Sequence, residues 1–149
     1  MEQSRQETIN KAVAFFDEGY ACSQSIMLAF SGRYGVDERV AKLVSSTFGG
    51  GMGRLRQKCG AVTGGFMILG LEYGNEIPND MDTKLNAYKK VRELNKKVED
   101  IYGTSNCVEL IQKYATDKQI ENRQHHKLVC RNVVADVAGL LWDIVENKS

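Results

Sequence analysis

Apolar residues recur at helical spacing through most of this chain, and a single proline, Pro78, interrupts the pattern. No segment shows the strict alternation of apolar and polar residues that is typical of a half-buried strand. The pattern therefore predicts an all-α fold, a bundle of six or seven helices. The length of 149 residues suits a single domain, 1–149, that buries a core without disulfides or bound metal.

Capping residues and glycines divide the chain into predicted helices. Their limits are Ser4 to Gly19, Cys22 to about Phe30, Asp37 to the glycine run, Gly60 to Leu71, Asp80 or Asp82 to Gly103, Asn106 to Ala115, and about His125 to Glu146. In the third helix we expect Val40, Leu43 and Val44 to be buried. The fourth is apolar and rich in glycine, so it should be buried on most sides. The polar stretch TDKQIENRQ is expected to be a loop.

The fifth predicted helix is long and amphipathic. Its apolar positions are Leu85, Tyr88, Val91, Leu94, Val98 and Ile101. We expect this face to pack against the rest of the bundle, with the charged residues between these positions facing solvent.

Charge and hydropathy argue against several classes of protein. The net charge of +1 does not favour nucleic acid or an anionic membrane as a partner. The longest apolar stretch, AVTGGFMILGL, is too short to span a bilayer, and the polar N-terminus shows no signal region. We therefore expect a cytoplasmic protein without membrane insertion, in which thiols rest reduced. A homo-oligomer is compatible with the sequence, which identifies no partner.

The stretch FGGGMGRLRQKCGAVTGG, residues 48–65, contains seven of the 14 glycines of the chain. Gly60 and Gly64 lie one turn apart on one helix face, which would let a cofactor, a metal or a partner thiol approach. The alternative is that both glycines only permit tight helix packing. The run GGGMG matches no established phosphate-binding pattern, although glycines before a helix can bind phosphate. A loop with left-handed backbone angles explains it equally well.

Four cysteines are candidates for chemistry: Cys22, Cys59, Cys107 and Cys130. They form no C-x-x-C pair, which argues against zinc-ribbon and thioredoxin-like sites. The first three fall in the first turn of a predicted helix, where the helix dipole favours a thiolate. The alternative is four buried cysteines that behave as small apolar residues.

Two of the cysteines have neighbours that bear on their reactivity. Three basic residues precede Cys59 and would favour its thiolate: Arg54, Arg56 and Lys58. His126 lies one turn before Cys130, so it could share a metal with this thiol or tune it. A solvated histidine in the first turn of a helix is the simpler interpretation of His126.

The order of these motifs resembles a known family. Cys22, the stretch GGGMGRLRQKCGAVTGG, then SNCVEL and CRNVVADVAG are similar to the bacterial and archaeal redox-active proteins named for their C_GCAxxG_C_C pattern. Cys59, Gly60, Ala61 and Gly64 match its CGAxxG box. The resemblance covers nearly the whole chain. It implies a small, mostly helical protein whose four cysteines act together in redox chemistry, and it implies no substrate.

Three hypotheses follow for the four cysteines. The first is reversible thiol–disulfide exchange or electron transfer, with Cys59 as the most thiolate-like residue and the others as its partners. The second is an iron–sulfur or zinc site that uses the same four thiolates as ligands. The third is a non-enzymatic helical binding module with inert, buried cysteines.

Overall fold

Seven α-helices make up the computed structural model, which describes residues 4–113 and 123–147, and no strand occurs within those ranges. The helices are α1 (Arg5–Glu18), α2 (Cys22–Ser31), α3 (Glu38–Ser45), α4 (Gly60–Tyr73), α5 (Met81–Tyr102), α6 (Cys107–Lys113) and α7 (Arg123–Glu146). The predicted all-α bundle is confirmed. Most of the expected loop TDKQIENRQ lies outside the described residues, and its last two residues already belong to α7.

Local hydrogen bonds account for where several helices begin and end. The side chains of Ser4, Asp37 and Asp80 each accept a bond from a backbone N–H in the first turn of α1, α3 and α5. Gly19 and Gly103 end α1 and α5 in the left-handed conformation that glycine adopts without strain. The predicted limits of α1 and α5 are therefore correct to within one or two residues, whereas α3 ends at Ser45 and a 3-10 turn, Ser46–Phe48, separates it from the glycine run.

The core surrounds α2 and α4, which pack closely against each other; both also pack against α7, and α4 packs against α5. Its largest fully buried side chains include Ile26, Phe30, Ile68, Leu69, Leu94 and Leu141. None of the described helices has the length and apolar character needed to cross a membrane.

Glycines on α4 allow this close packing. A Cβ atom at Gly64 would lie 2.8 Å from the carbonyl oxygen of Ser23 and 3.2 Å from the Cβ of Ile26, both on α2. A Cβ at Gly60 would lie 3.1 Å from the carbonyl oxygen of Phe48. Real Cβ atoms are not found at 2.8 Å from backbone oxygen, so a side chain at Gly64 would push the helices apart.

The expected burial of α3 is wrong. Val40, Leu43 and Val44 are each about half exposed, whereas Ala41 and Ser45 are buried. The reason is polar: the Ser23 hydroxyl donates to the carbonyl of Ser45 at 2.7 Å, and Gln24 donates to the carbonyl of Lys42 at 3.0 Å. These bonds hold α3 against α2 through its small residues and turn its larger apolar face outward.

The apolar positions of α5 also differ in burial. Leu94 and Val98 are fully buried, but Leu85, Tyr88 and Ile101 are about half exposed. The buried positions of this 22-residue helix are Ala87, Leu94, Val98 and Tyr102, so a narrower face than expected packs against the core.

The contact between α2 and α4 gives a first prediction. We expect Gly64→Ala to lower the free energy of unfolding by about 1–3 kcal/mol, because the added methyl overlaps the backbone of α2. Gly70→Ala, on the same helix with open space around it, is the matched control and should stabilise by about 0.5–1 kcal/mol. Denaturant unfolding measures both, and equal effects of the two substitutions would contradict the proposed packing.

Candidate functional site: a cluster of four cysteines

The four cysteines meet at the end of the bundle where three helices begin. Cys22 is the first residue of α2, Cys59 is the N-cap of α4, and Cys107 is the first residue of α6, whereas Cys130 lies inside α7. The thiol of Cys22 interacts with the other three, and all four cysteines are free. The structure thus brings together residues that are up to 108 positions apart in the chain.

A short antiparallel bridge ties two of these cysteines together. The backbone N–H of Cys59 donates to the carbonyl of Ser105 at 2.8 Å, and that of Cys107 donates to the carbonyl of Gln57 at 2.7 Å. The bridge pairs Lys58 with Asn106. The starts of α4 and α6 are therefore held side by side by backbone hydrogen bonds.

The glycine-rich loop closes over Cys107. A Cβ atom at Gly51 would lie 2.7 Å from the Cβ of Cys107, so no side chain fits there. Gly50 and Gly51 have φ angles of 66° and 72°, as the loop interpretation predicts. The N–H groups of Arg54, Arg56 and Gln57 bond to the loop's own glycine carbonyls. These N–H groups are thus not available to cradle a phosphate.

The expected thiolate at Cys59 is wrong. Burial raises the pKa of Cys59 to about 12, and the neighbouring Cys130 and Cys107 add to this effect. The N–H groups of Ala61 and Val62 do face the sulfur and lower its pKa, but by less. Cys59 is only 4% exposed, so the cost of desolvating a charge exceeds the benefit of the helix start.

The pKa of Cys22 and of Cys107 is raised as well. For Cys22 the main causes are a hydrogen bond to Cys130 and burial. For Cys107 burial raises the pKa, and the guanidinium of Arg56 opposes it. A position at the start of a helix is therefore not enough to lower the pKa of any of the three cysteines below its ordinary value.

Cys130 differs from the other three cysteines. It is partly exposed, and the Cys22 thiol beside it lowers its pKa; burial opposes this effect, and Arg56 adds to it. Its position inside α7 gave no sign of this behaviour in the sequence, because the cause lies in residues from other helices.

Of the three basic residues before Cys59, one reaches a thiol directly. The Nη1 atom of Arg56 lies 3.5 Å from the Sγ of Cys107. Lys58 instead donates to Asn95 at 2.8 Å and to Ser105 at 2.6 Å, whereas Arg54 is exposed. Sequence reasoning missed Asn95 and Ser105, which have no motif around them.

Gly60 and Gly64 lie beneath α2 and are buried. Helix packing alone accounts for both, so their role in binding a cofactor stays a prediction. His126 is partly buried in α7, one turn before Cys130. Within residues 4–113 and 123–147, no three histidine, cysteine or acidic side chains are arranged to hold a metal ion. The arrangement gives no support to an iron–sulfur or zinc site.

Comparison with known proteins agrees with the cysteine cluster. The family model described as "Putative redox-active protein (C_GCAxxG_C_C)" matches residues 20–144, a span that includes all four cysteines. The chain belongs to this family. The resemblance seen in the sequence is thus confirmed, and the description associates the family with redox activity. No curated protein and no solved structure matches the chain.

The raised pKa of Cys59 predicts how stability depends on pH. The folded protein keeps a proton up to about pH 12 that an unfolded thiol loses near 9.0, so stability is complete below pH 9 and falls above it. Between pH 8.5 and 10.5, we expect the free energy of unfolding of the Cys59→Ala variant to fall by roughly 2 kcal/mol less than that of the natural protein.

The measurement is denaturant unfolding under reducing conditions at both pH values. Val62→Ala is the matched control, because it removes a fully buried group next to Cys59 that does not titrate. Val62→Ala should lower the free energy of unfolding by the same amount at both pH values. An unchanged pH dependence in Cys59→Ala would contradict the burial of a neutral thiol.

Proposed function

We propose that this protein carries out thiol–disulfide exchange, with Cys130 as the attacking sulfur and Cys22 as the resolving one. The observation that carries the proposal is the convergence of four free cysteines at one end of the bundle, where Cys130 has the largest effect on the pKa of Cys22 and Cys22 the largest effect on that of Cys130. Membership of a family associated with redox activity supports the same kind of chemistry.

Exposure supports the assignment of the two roles. Cys22, Cys59 and Cys107 are each less than 9% exposed, whereas Cys130 is partly exposed. A partner's disulfide can approach a sulfur only where solvent reaches it, so Cys130 is the accessible member of the cluster. Its lowered pKa also increases its thiolate fraction, and the thiolate is the form that attacks.

The exchange needs a disulfide as the oxidant. The thiolate of Cys130 attacks one sulfur of this disulfide, an S–S bond forms to Cys130, and the other half leaves as a thiolate. Cys22 then gives its proton to water or to the departing thiolate and attacks the Cys130 sulfur. A Cys22–Cys130 disulfide forms, and the second half of the substrate leaves. Two electrons pass from the protein to the substrate disulfide, and its two halves leave as thiolates that can take up the protons released by Cys130 and Cys22.

Cys59 and Cys107 complete the cluster behind this pair. Their raised pKa values keep them as neutral thiols near pH 7, so they attack more slowly than Cys130. The proposal therefore gives Cys59 a smaller role than the sequence suggested.

The experiment uses oxidised glutathione as the probe disulfide and peptide mapping under non-reducing conditions. We expect a Cys22–Cys130 disulfide in the natural protein, and a mixed disulfide that stays on Cys130 in the Cys22→Ser variant. Cys130→Ser should form neither product, because the attacking sulfur is missing.

Cys59→Ser and Cys107→Ser are the matched controls, and both should still form the Cys22–Cys130 disulfide. Glutathione attached first to Cys59 or Cys107 would contradict the assigned roles. Four cysteines that remain unmodified in the folded protein would instead favour a binding module with inert thiols.

A further inference from the structure

Arg56 stands out among the residues around the cysteine cluster because the family's cysteine pattern does not include it. Its Nη1 atom lies 3.5 Å from the Cys107 sulfur, and its charge also acts on Cys130. The side chain is partly buried. A guanidinium keeps its positive charge at every pH at which a thiol titrates.

The backbone of Arg56 is held in an unfavourable conformation. Its φ angle is 59°, and Met52 and Arg54 in the same loop have φ angles of 69° and 65°. A left-handed backbone costs roughly 1–2 kcal/mol for a residue other than glycine. The loop's own hydrogen bonds maintain it, including the 3.3 Å bond from the Arg56 N–H to the carbonyl of Gly50.

The consequence of this loop geometry is the position of the guanidinium. Gly51 lets the loop approach Cys107. Arg56 comes later in the same loop, immediately before Gln57, whose carbonyl accepts the bond from the Cys107 N–H at the start of α6. Lys58, two residues later, is directed to Asn95 and Ser105 instead. The loop therefore brings a permanent cation to the sulfurs in a region that is largely buried.

We propose that Arg56 is a positioning residue of the cluster: its guanidinium, in contact with the Cys107 sulfur, stabilises the negative charge that develops on the clustered sulfurs, including that of Cys130, during exchange. This inference rests on the proposed function, since it concerns the sulfur that attacks. Arg56 itself neither gains nor loses a proton. The titratable groups that face Cys130 are Cys22 from α2, Cys59 from α4 and Cys107 from α6, and His126 lies one turn earlier on α7.

The test is the pH dependence of alkylation at Cys130, measured for each cysteine separately by mass spectrometry with iodoacetamide as the probe. We expect Arg56→Gln to move the midpoint of the pH profile for Cys130 alkylation upward by about one pH unit. Near pH 7 the alkylation rate of Cys130 should then be up to roughly tenfold lower. Arg56→Lys should restore part of this difference, because it returns the charge without the planar guanidinium.

Two further variants separate charge from backbone strain. Arg56→Gly removes the guanidinium and the strain together, so it should fold at least as well as Arg56→Gln and show the same shifted midpoint. Arg54→Gln removes an exposed positive charge from a residue with the same left-handed backbone, and it should leave the Cys130 profile unchanged.

The outcomes distinguish this inference from the proposed function. If the natural protein forms the Cys22–Cys130 disulfide but Arg56→Gln keeps the same midpoint, the inference is wrong and the function stands. An equal shift in Arg54→Gln would also overturn it, since general surface charge would then suffice. If Cys130 in the natural protein does not react at all, the proposed function itself fails.

Discussion

The close approach of α2 and α4 is the contact on which the cysteine cluster depends. Two helices can come this near only where one of them has no side chain, and Gly60 and Gly64 provide that surface on α4. A Cβ atom at Gly60 would be 3.4 Å from the Cβ of Cys22, so the starts of both helices meet there. The same glycines that serve packing thus bring Cys22 beside Cys59.

This packing also decides the chemistry of the thiols. A helix start favours a nearby negative charge by about 0.3–1 kcal/mol, or up to about 2 kcal/mol in partly buried sites. A rise of the Cys59 pKa from 9.0 to about 12 corresponds to roughly 4 kcal/mol in the opposite direction. Burial therefore decides the outcome at Cys59, whereas at Cys130 the interaction with the Cys22 thiol outweighs burial and leaves the pKa lowered.

The loop between α3 and α4 connects strain with charge. Three of its residues other than glycine have left-handed backbone angles, an arrangement that persists only where surrounding contacts enforce it. Here those contacts are the loop's internal hydrogen bonds and the bridge to the start of α6. The strained backbone of this loop places the guanidinium of Arg56 against the sulfur of Cys107.

Helix type, number and most limits could be predicted from the sequence, because caps and apolar spacing act within a few residues of each other. The presence of a cysteine cluster could also be expected, from the helix starts and the family pattern. The sequence did not reveal that α3 turns Val40, Leu43 and Val44 outward, since bonds from Ser23 and Gln24 on another helix decide this.

The sequence by itself determined which residues could react, and the tertiary structure decided which of them favours a charge. The pKa of a thiol depends on solvent exclusion and on partners within a few ångströms, and neither follows from distance along the chain. Arg56 shows this clearly: it is three residues from Cys59, yet its guanidinium contacts Cys107, 51 residues away, because the loop folds over the start of α6.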